Sequence, residues 1–152
     1  MLYTSIEQSK RLIQLGLNPD TADAWWYRST FGVIDGWEIK LDEESHDELT
    51  LCRRNPSHEV AIVKRDEIPA WSVGSLMDLL PPSISEYDGK SRKSYGLNLF
   101  RSYYHCCGYS FGPSLNEENH DNLCCFGCDS WIEAVYKTIV WCYENGYMKT
   151  PN

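Results

Sequence analysis

The stretch Tyr95-Gly96-Leu97-Asn98-Leu99-Phe100-Arg101-Ser102-Tyr103-Tyr104-His105-Cys106-Cys107-Gly108-Tyr109 decides the fold class. Leu97, Leu99, Arg101, Tyr103, His105 and Cys107 fall on one side of an alternation, and Asn98, Phe100, Ser102, Tyr104 and Cys106 on the other. A period of two belongs to a β-strand, whose successive side chains point to opposite faces. The stretch is longer than an ordinary strand, so a hairpin or bulge is expected near Arg101-Ser102. Gly108 to Asp121 reads as a loop and Leu123 to Phe126 as a returning strand. The best-signalled helix of the chain follows at once. Ser130 and Glu133 have the spacing of a capping box, and Asp129 suits the positive helix end. Ile132, Val135, Tyr136, Ile139, Val140 and Tyr143 recur at helical spacing, and Gly146 closes the element.

Two further helices are signalled upstream. Ser5 caps the first, with Gln8 as its reciprocal partner, and Ile6, Ser9, Leu12, Ile13 and Leu15 approximate its inner face. Gly16 reads as a left-handed closing residue that lets Leu17 pack back on Leu12. Asn18 then caps a short turn over Pro19 to Ala24. Ser72 caps the second, with Val73, Leu76, Leu79 and Leu80 as its apolar face and Pro81-Pro82 as its stop. Ile68-Pro69-Ala70-Trp71 leads into it, and Ser83 to Lys93 reads as a polar connector. Between the helices, short strands are expected near Phe31–Ile34, Trp37–Leu41, Leu49–Arg53 and Glu59–Lys64. No repeat or composition break divides the chain. The architecture predicted is α+β over residues 1–152: a small antiparallel β-sheet packed against the C-terminal helix, with two further helices completing the core.

At 152 residues the chain can bury a core without disulfides, and 42% hydrophobic residues argue against disorder. No apolar run approaches the ~20 residues that cross a bilayer, and the N-terminus has no basic start with an apolar stretch behind it. A cytoplasmic location is therefore expected, where thiols stay reduced. The net charge of −8 argues against binding nucleic-acid phosphates. Acidic residues gather at Asp42-Glu43-Glu44 with Asp47 and Glu48, in a segment that reads first as a solvated loop, with a hard-cation site or a nucleic-acid-mimicking surface as the alternatives, although no spacing there matches a calcium loop.

Seven cysteines offer the densest chemistry, five of them between Cys106 and Cys128. Cys125 and Cys128 have the spacing with which a turn presents two thiolates to one zinc ion. A second knuckle is missing. Cys106 and Cys107 are adjacent, so on a strand they face opposite ways and cannot share an ion. The zinc site that sequence allows is Cys125, Cys128, His120 and one of Cys106 or Cys107, taken as Cys107. A thioredoxin-like redox pair is the second reading of Cys125 and Cys128, although Cys128 stands ahead of the Ser130 cap and no βαβ pattern leads into it. The third reading, and the leading one, is that the cysteines fill sheet and helix positions as small hydrophobes.

No nucleophile elbow, phosphate-binding glycine loop or His-Glu-x-x-His pair is present, so no catalytic residue is assigned. His46, His58, His105 and His120 stand in no recognisable signature. Trp131 and Trp141 flank the last helix's apolar stripe, whereas Trp25, Trp26, Trp37 and Trp71 are candidates for a ligand groove.

Three segments are similar to a group of small uncharacterised proteins of anaerobic gut bacteria and their mobile elements. They are Ser5-Ile6-Glu7-Gln8-Ser9-Lys10-Arg11-Leu12-Ile13-Gln14-Leu15-Gly16-Leu17-Asn18-Pro19 with Asp20-Thr21-Ala22-Asp23, then Ile68-Pro69-Ala70-Trp71-Ser72-Val73-Gly74-Ser75-Leu76-Met77-Asp78-Leu79-Leu80-Pro81, then Asp129-Ser130-Trp131-Ile132-Glu133-Ala134-Val135. The resemblance carries no activity, cofactor or site residue with it. The function expected is that of a non-enzymatic intracellular accessory protein that binds another protein, with no nucleic acid, membrane or cofactor involved. The alternatives are a small zinc-stabilised domain or an enzyme with an unfamiliar site.

Overall fold

A computed structural model of the chain describes residues 2–28, 37–41, 66–111 and 122–148. In chain order these form α1 (Ile6–Leu15), a 3₁₀ turn (Pro19–Thr21), β1 (Ala24–Arg28), β2 (Trp37–Leu41), β3 (Asp66–Ala70), α2 (Val73–Leu79), β4 (Ser83–Tyr87), β5 (Arg92–Arg101), β6 (His105–Ser110), β7 (Asn122–Cys128) and α3 (Trp131–Glu144). The fold is α+β, with an antiparallel sheet packed against the C-terminal helix. The strands expected at Phe31–Ile34, Leu49–Arg53 and Glu59–Lys64 lie outside the described residues, as does the acidic segment from Asp42.

The long alternating stretch is a hairpin. β5 and β6 pair from Gly96↔Ser110 to Arg101↔His105, leaving Ser102, Tyr103 and Tyr104 as the turn. A three-residue turn joins odd-numbered partners to odd-numbered ones, so both faces read from the sequence survive the reversal. β7 continues the meander, pairing Cys107↔Phe126 and Tyr109↔Cys124, and the sheet order is β4-β5-β6-β7. One face buries Ile84, Cys107, Tyr109, Cys124 and Cys128 in the core. α3 lies on that face, against β6 and β7, and covers it with Ile132, Val135 and Ile139. Burial of each such aliphatic side chain contributes about 1.5–3 kcal/mol. The Ser130 hydroxyl caps α3 by accepting from the Glu133 N–H at 3.3 Å. The Glu133 carboxylate turns to Lys137 at 3.5 Å, so only half of the expected capping box forms.

The first helix is built as its sequence indicates. Ser5 accepts from the Gln8 N–H, and the Gln8 side chain accepts from the Ser5 N–H. Gly16 has φ 103°, and Leu17 N–H reaches back to the Leu12 carbonyl at 3.0 Å. Ser9 is buried because its hydroxyl bonds Thr4 at 2.7 Å, whereas Ile13 faces solvent. α1 and α2 both pack on α3, bringing Leu12 and Leu76 into the same core.

Three features differ from the sequence reading. The turn after Asn18 stops at Thr21, because Ala24 already begins β1, which pairs with strands on both sides. Those strands form a second sheet, β2-β1-β3, that was not expected. Its β3 contains Pro69, tolerated on an edge strand because only one side must donate to a ladder. Finally, Ser83 to Lys93 is no connector. β4 pairs Ile84↔Tyr95 and Tyr87↔Arg92, and the tight turn between β4 and β5 is held by the Asp88 carboxylate, which accepts from Lys90 and Ser91 N–H at 2.9 Å each.

Candidate functional site

Of the six described cysteines, five are buried: Cys106, Cys107, Cys124, Cys128 and Cys142. Strand alternation sends Cys107, Cys124 and Cys128 toward α3, where Cys142 joins them beside Tyr109. Burial pushes the Cys124 thiol up to about 12 and the Cys142 thiol to about 11. It also raises Cys107, against a smaller opposing contribution from Thr138, and drives the Tyr109 phenol far above its usual range. Tyr109 is held by a 2.6 Å bond to the Pro81 carbonyl. Thiols and a phenol so shifted are neutral at physiological pH. They pack, and they are not poised as nucleophiles.

Of the four residues read as a zinc site, His120 lies outside the described residues. The other three are not brought together as a knuckle. β7 runs through Cys128 without a turn, so Cys125 and Cys128, three residues apart, point to opposite faces. Cys107 and Cys128 share the α3 face, and Cys125 lies on the other, opposite Gly108. Among the described residues no group of three or more His, Cys, Asp or Glu side chains is arranged to hold a metal ion.

Cys128 has the most polar surroundings of the buried thiols. Burial raises its pKa, and the nearby Lys137 ammonium only partly offsets this; the same thiol in turn is the main cause of a raised Lys137. His105 is its register partner on β6, with its ring edge-on to Trp131 at 4.8 Å. The His105 Nδ1 is buried without a hydrogen-bond partner among the described residues. The result is a His–Cys–Lys corner whose thiol stays protonated, which is not the charge state of an acyl- or disulfide-transfer site.

Two of the four groove-candidate tryptophans, Trp26 and Trp71, are tied into the fold through their indole N–H groups. Trp71 is fully buried, with Nε1 donating to Thr21 Oγ1 at 2.9 Å, and Trp26 Nε1 donates to the Thr4 carbonyl at 2.8 Å. Trp141 stacks on Tyr147 at 5.2 Å.

The hairpin was expected near Arg101-Ser102; what sequence reading missed is the exposed aromatic cluster at its tip. Tyr103 is 98% exposed and Tyr104 50%, with Leu99 and Phe100 also open to solvent just before the turn. Arg101 stands exposed between them, and the turn is closed by Ser102 N–H to the Tyr104 carbonyl at 3.1 Å. From Gly89 to Phe111 the chain has Lys90, Arg92, Lys93 and Arg101 but no acidic residue, within a protein of net charge −8. That local inversion of charge was legible in the sequence. The exposure was not, because alternation alone does not tell which end of a sheet a helix leaves uncovered.

A cavity of about 500 Å³ is lined mainly by Leu17, Leu79, Leu80, Pro81, Tyr143 and Met148, with Asn18 and Thr21 at its polar margin. No helix among the described residues is long and apolar enough to cross a membrane. No protein family, curated protein or solved structure matches this chain.

Proposed function

We propose that the protein is a non-enzymatic cytoplasmic accessory protein, encoded on a mobile element, that works by binding another protein through the β5–β6 tip. The observation that carries this reading is the exposure of Tyr103 beside Tyr104, Phe100 and Leu99. Tyrosine and arginine supply much of the energy in protein interfaces, because each offers a large contact area together with a polar handle. A cluster of aromatic side chains left in water is the usual mark of such a surface. The basic residues along β5 favour a partner whose apolar socket has an acidic rim. The buried cysteines Cys106, Cys107, Cys124, Cys128 and Cys142, none of them in a disulfide among the described residues, favour a reducing compartment. The protein's net charge of −8 works against a nucleic-acid partner, although bases could stack on the same tyrosines.

The test is affinity capture from the native host with the wild-type chain and with a Tyr103→Ser/Tyr104→Ser double variant. A specific protein partner is expected with the wild type and at least tenfold less of it with the variant. The variant's thermal midpoint should stay close to wild type, since these exposed rings contribute little to folding. Equal capture by both forms, capture abolished by nuclease, or turnover detected in substrate screens would each overturn the reading.

A further inference from the structure

We propose that the 500 Å³ cavity is a binding site for a small organic cation with an apolar body, of the alkylammonium class. Its size lies within the range of ordinary ligand pockets, and leucine, proline, methionine and tyrosine side chains supply most of its wall. The ends of three helices supply its polarity. Gly16 and Leu17 follow the C-terminus of α1, Leu79 and Leu80 end α2, and Tyr143 sits in the last turn of α3. A helix C-terminus carries roughly half a negative charge, which proteins commonly offset with Lys, Arg or His. None of these three helices has a basic residue in its last turn. The Leu80 N–H returns to the Met77 carbonyl at 3.2 Å, and Pro81 and Pro82, which come next, have no N–H for the remaining carbonyls of α2.

Among the described residues no charged side chain lines the cavity. Among the flanking positions in the chain, Asp20, Asp78 and Glu144 adjoin lining residues, against Lys149 on the basic side. Glu144 is already paired with Arg11 at 3.3 Å. The field inside is therefore set by the helix ends, in a wall too apolar to screen it as water would. An anion would be repelled, and a neutral hydrocarbon would gain only burial. An ammonium head with an alkyl tail uses both properties, and the Tyr143 ring provides a face for cation–π contact.

The experiment is titration of the intact protein, followed by ¹H–¹⁵N NMR, with three probes of equal chain length: octyltrimethylammonium, octanol and octanoate. Shifts are expected at Leu17, Thr21, Leu80, Tyr143 and Met148, with the ammonium at least tenfold tighter than octanoate and octanol between them. An Asn18→Lys variant, which brings a cation to the margin, should weaken the ammonium at least fivefold and strengthen octanoate. Octanoate binding as tightly as the ammonium, shifts centred elsewhere, or no saturable binding by any probe would overturn the proposal. The wild-type ranking decides the matter even if the variant fails to fold.

Discussion

At the scale of single residues, the cysteines show how a chemical signature and a packing signature can share one composition. Adjacent Cys106 and Cys107 had to face opposite ways, and they do. The Cys125–Cys128 spacing stayed ambiguous until the backbone conformation was known, because two intervening residues make a knuckle in a turn and opposite faces in a strand. The burial has a consequence in alkali. Unfolded thiols ionise near pH 9.0, whereas Cys124 and Cys142 hold their protons to about 12 and 11 in the fold. The folded state thus binds these protons more tightly, and its advantage is complete below pH 9 and lost as pH rises toward 11–12. Urea midpoints should be level up to about pH 8.5 and then fall. Cys142→Ala should fall less steeply, and an unchanged slope in that variant would refute the assignment. At neutral pH, brief alkylation with mass-spectrometric readout should modify half-buried Cys125 ahead of its five buried counterparts. Early labelling of Cys107 or Cys142 would contradict the packing described here.

At the scale of elements, capped helices were legible and edge strands were not. Ser5, Gly16, Ser72 and Ser130 each mark a helix boundary by chemistry that acts within a few residues, so the sequence carries the whole signal. β4 escaped notice because an edge strand with one covered face needs little apolar content, and Ile84 alone is buried. Asp88-Gly89 was the available clue, a turn dipeptide flanked by alternating residues, and Gly89 does adopt φ 89°. Inside the hairpin, Gly108 has a different role. A Cβ there would lie 2.1 Å from the Cys124 carbonyl oxygen, beside the register shift at Tyr109/Ser110. Gly96, on the neighbouring strand, has nothing within 4 Å of the same position. Gly108→Ala should therefore cost at least about 2 kcal/mol, since backbone must move to admit the methyl group. Gly96→Ala should stay within about 0.5 kcal/mol of wild type. Equal chemical-denaturation midpoints for the two variants would show that β6 and β7 do not approach so closely.

At the scale of the whole molecule, the second sheet was the largest surprise, because Trp25-Trp26-Tyr27 reads as apolar without showing what it faces. Its attachment to the core runs through a few polar residues that local patterning does not reveal. Thr4 is fully buried: its N–H donates to the Trp71 carbonyl at 2.9 Å, and its hydroxyl accepts from Trp71 N–H at 3.1 Å while bonding Ser9. The Asp23 carboxylate, just before β1, accepts from Ser72 N–H at 2.8 Å and from the Ser75 hydroxyl at 2.9 Å, at the start of α2. Trp71 itself belongs to the same buried core as Ile132, Val135 and Ile139 of α3. The two sheets should therefore melt together. Thr4→Val preserves the side chain's shape but strands the Trp71 N–H and the Ser9 hydroxyl in the interior, at a cost of about 2–3 kcal/mol. If the junction couples both sheets, that loss appears throughout the molecule. Hydrogen exchange should show β1 and β6 amides losing protection by the same free energy, and far-UV circular dichroism and tryptophan fluorescence should give one coincident transition. Loss of protection confined to β1 and β3, with β6 unaffected, would mean that the three-stranded sheet opens independently and that Thr4 holds it in place without sharing its stability with the core.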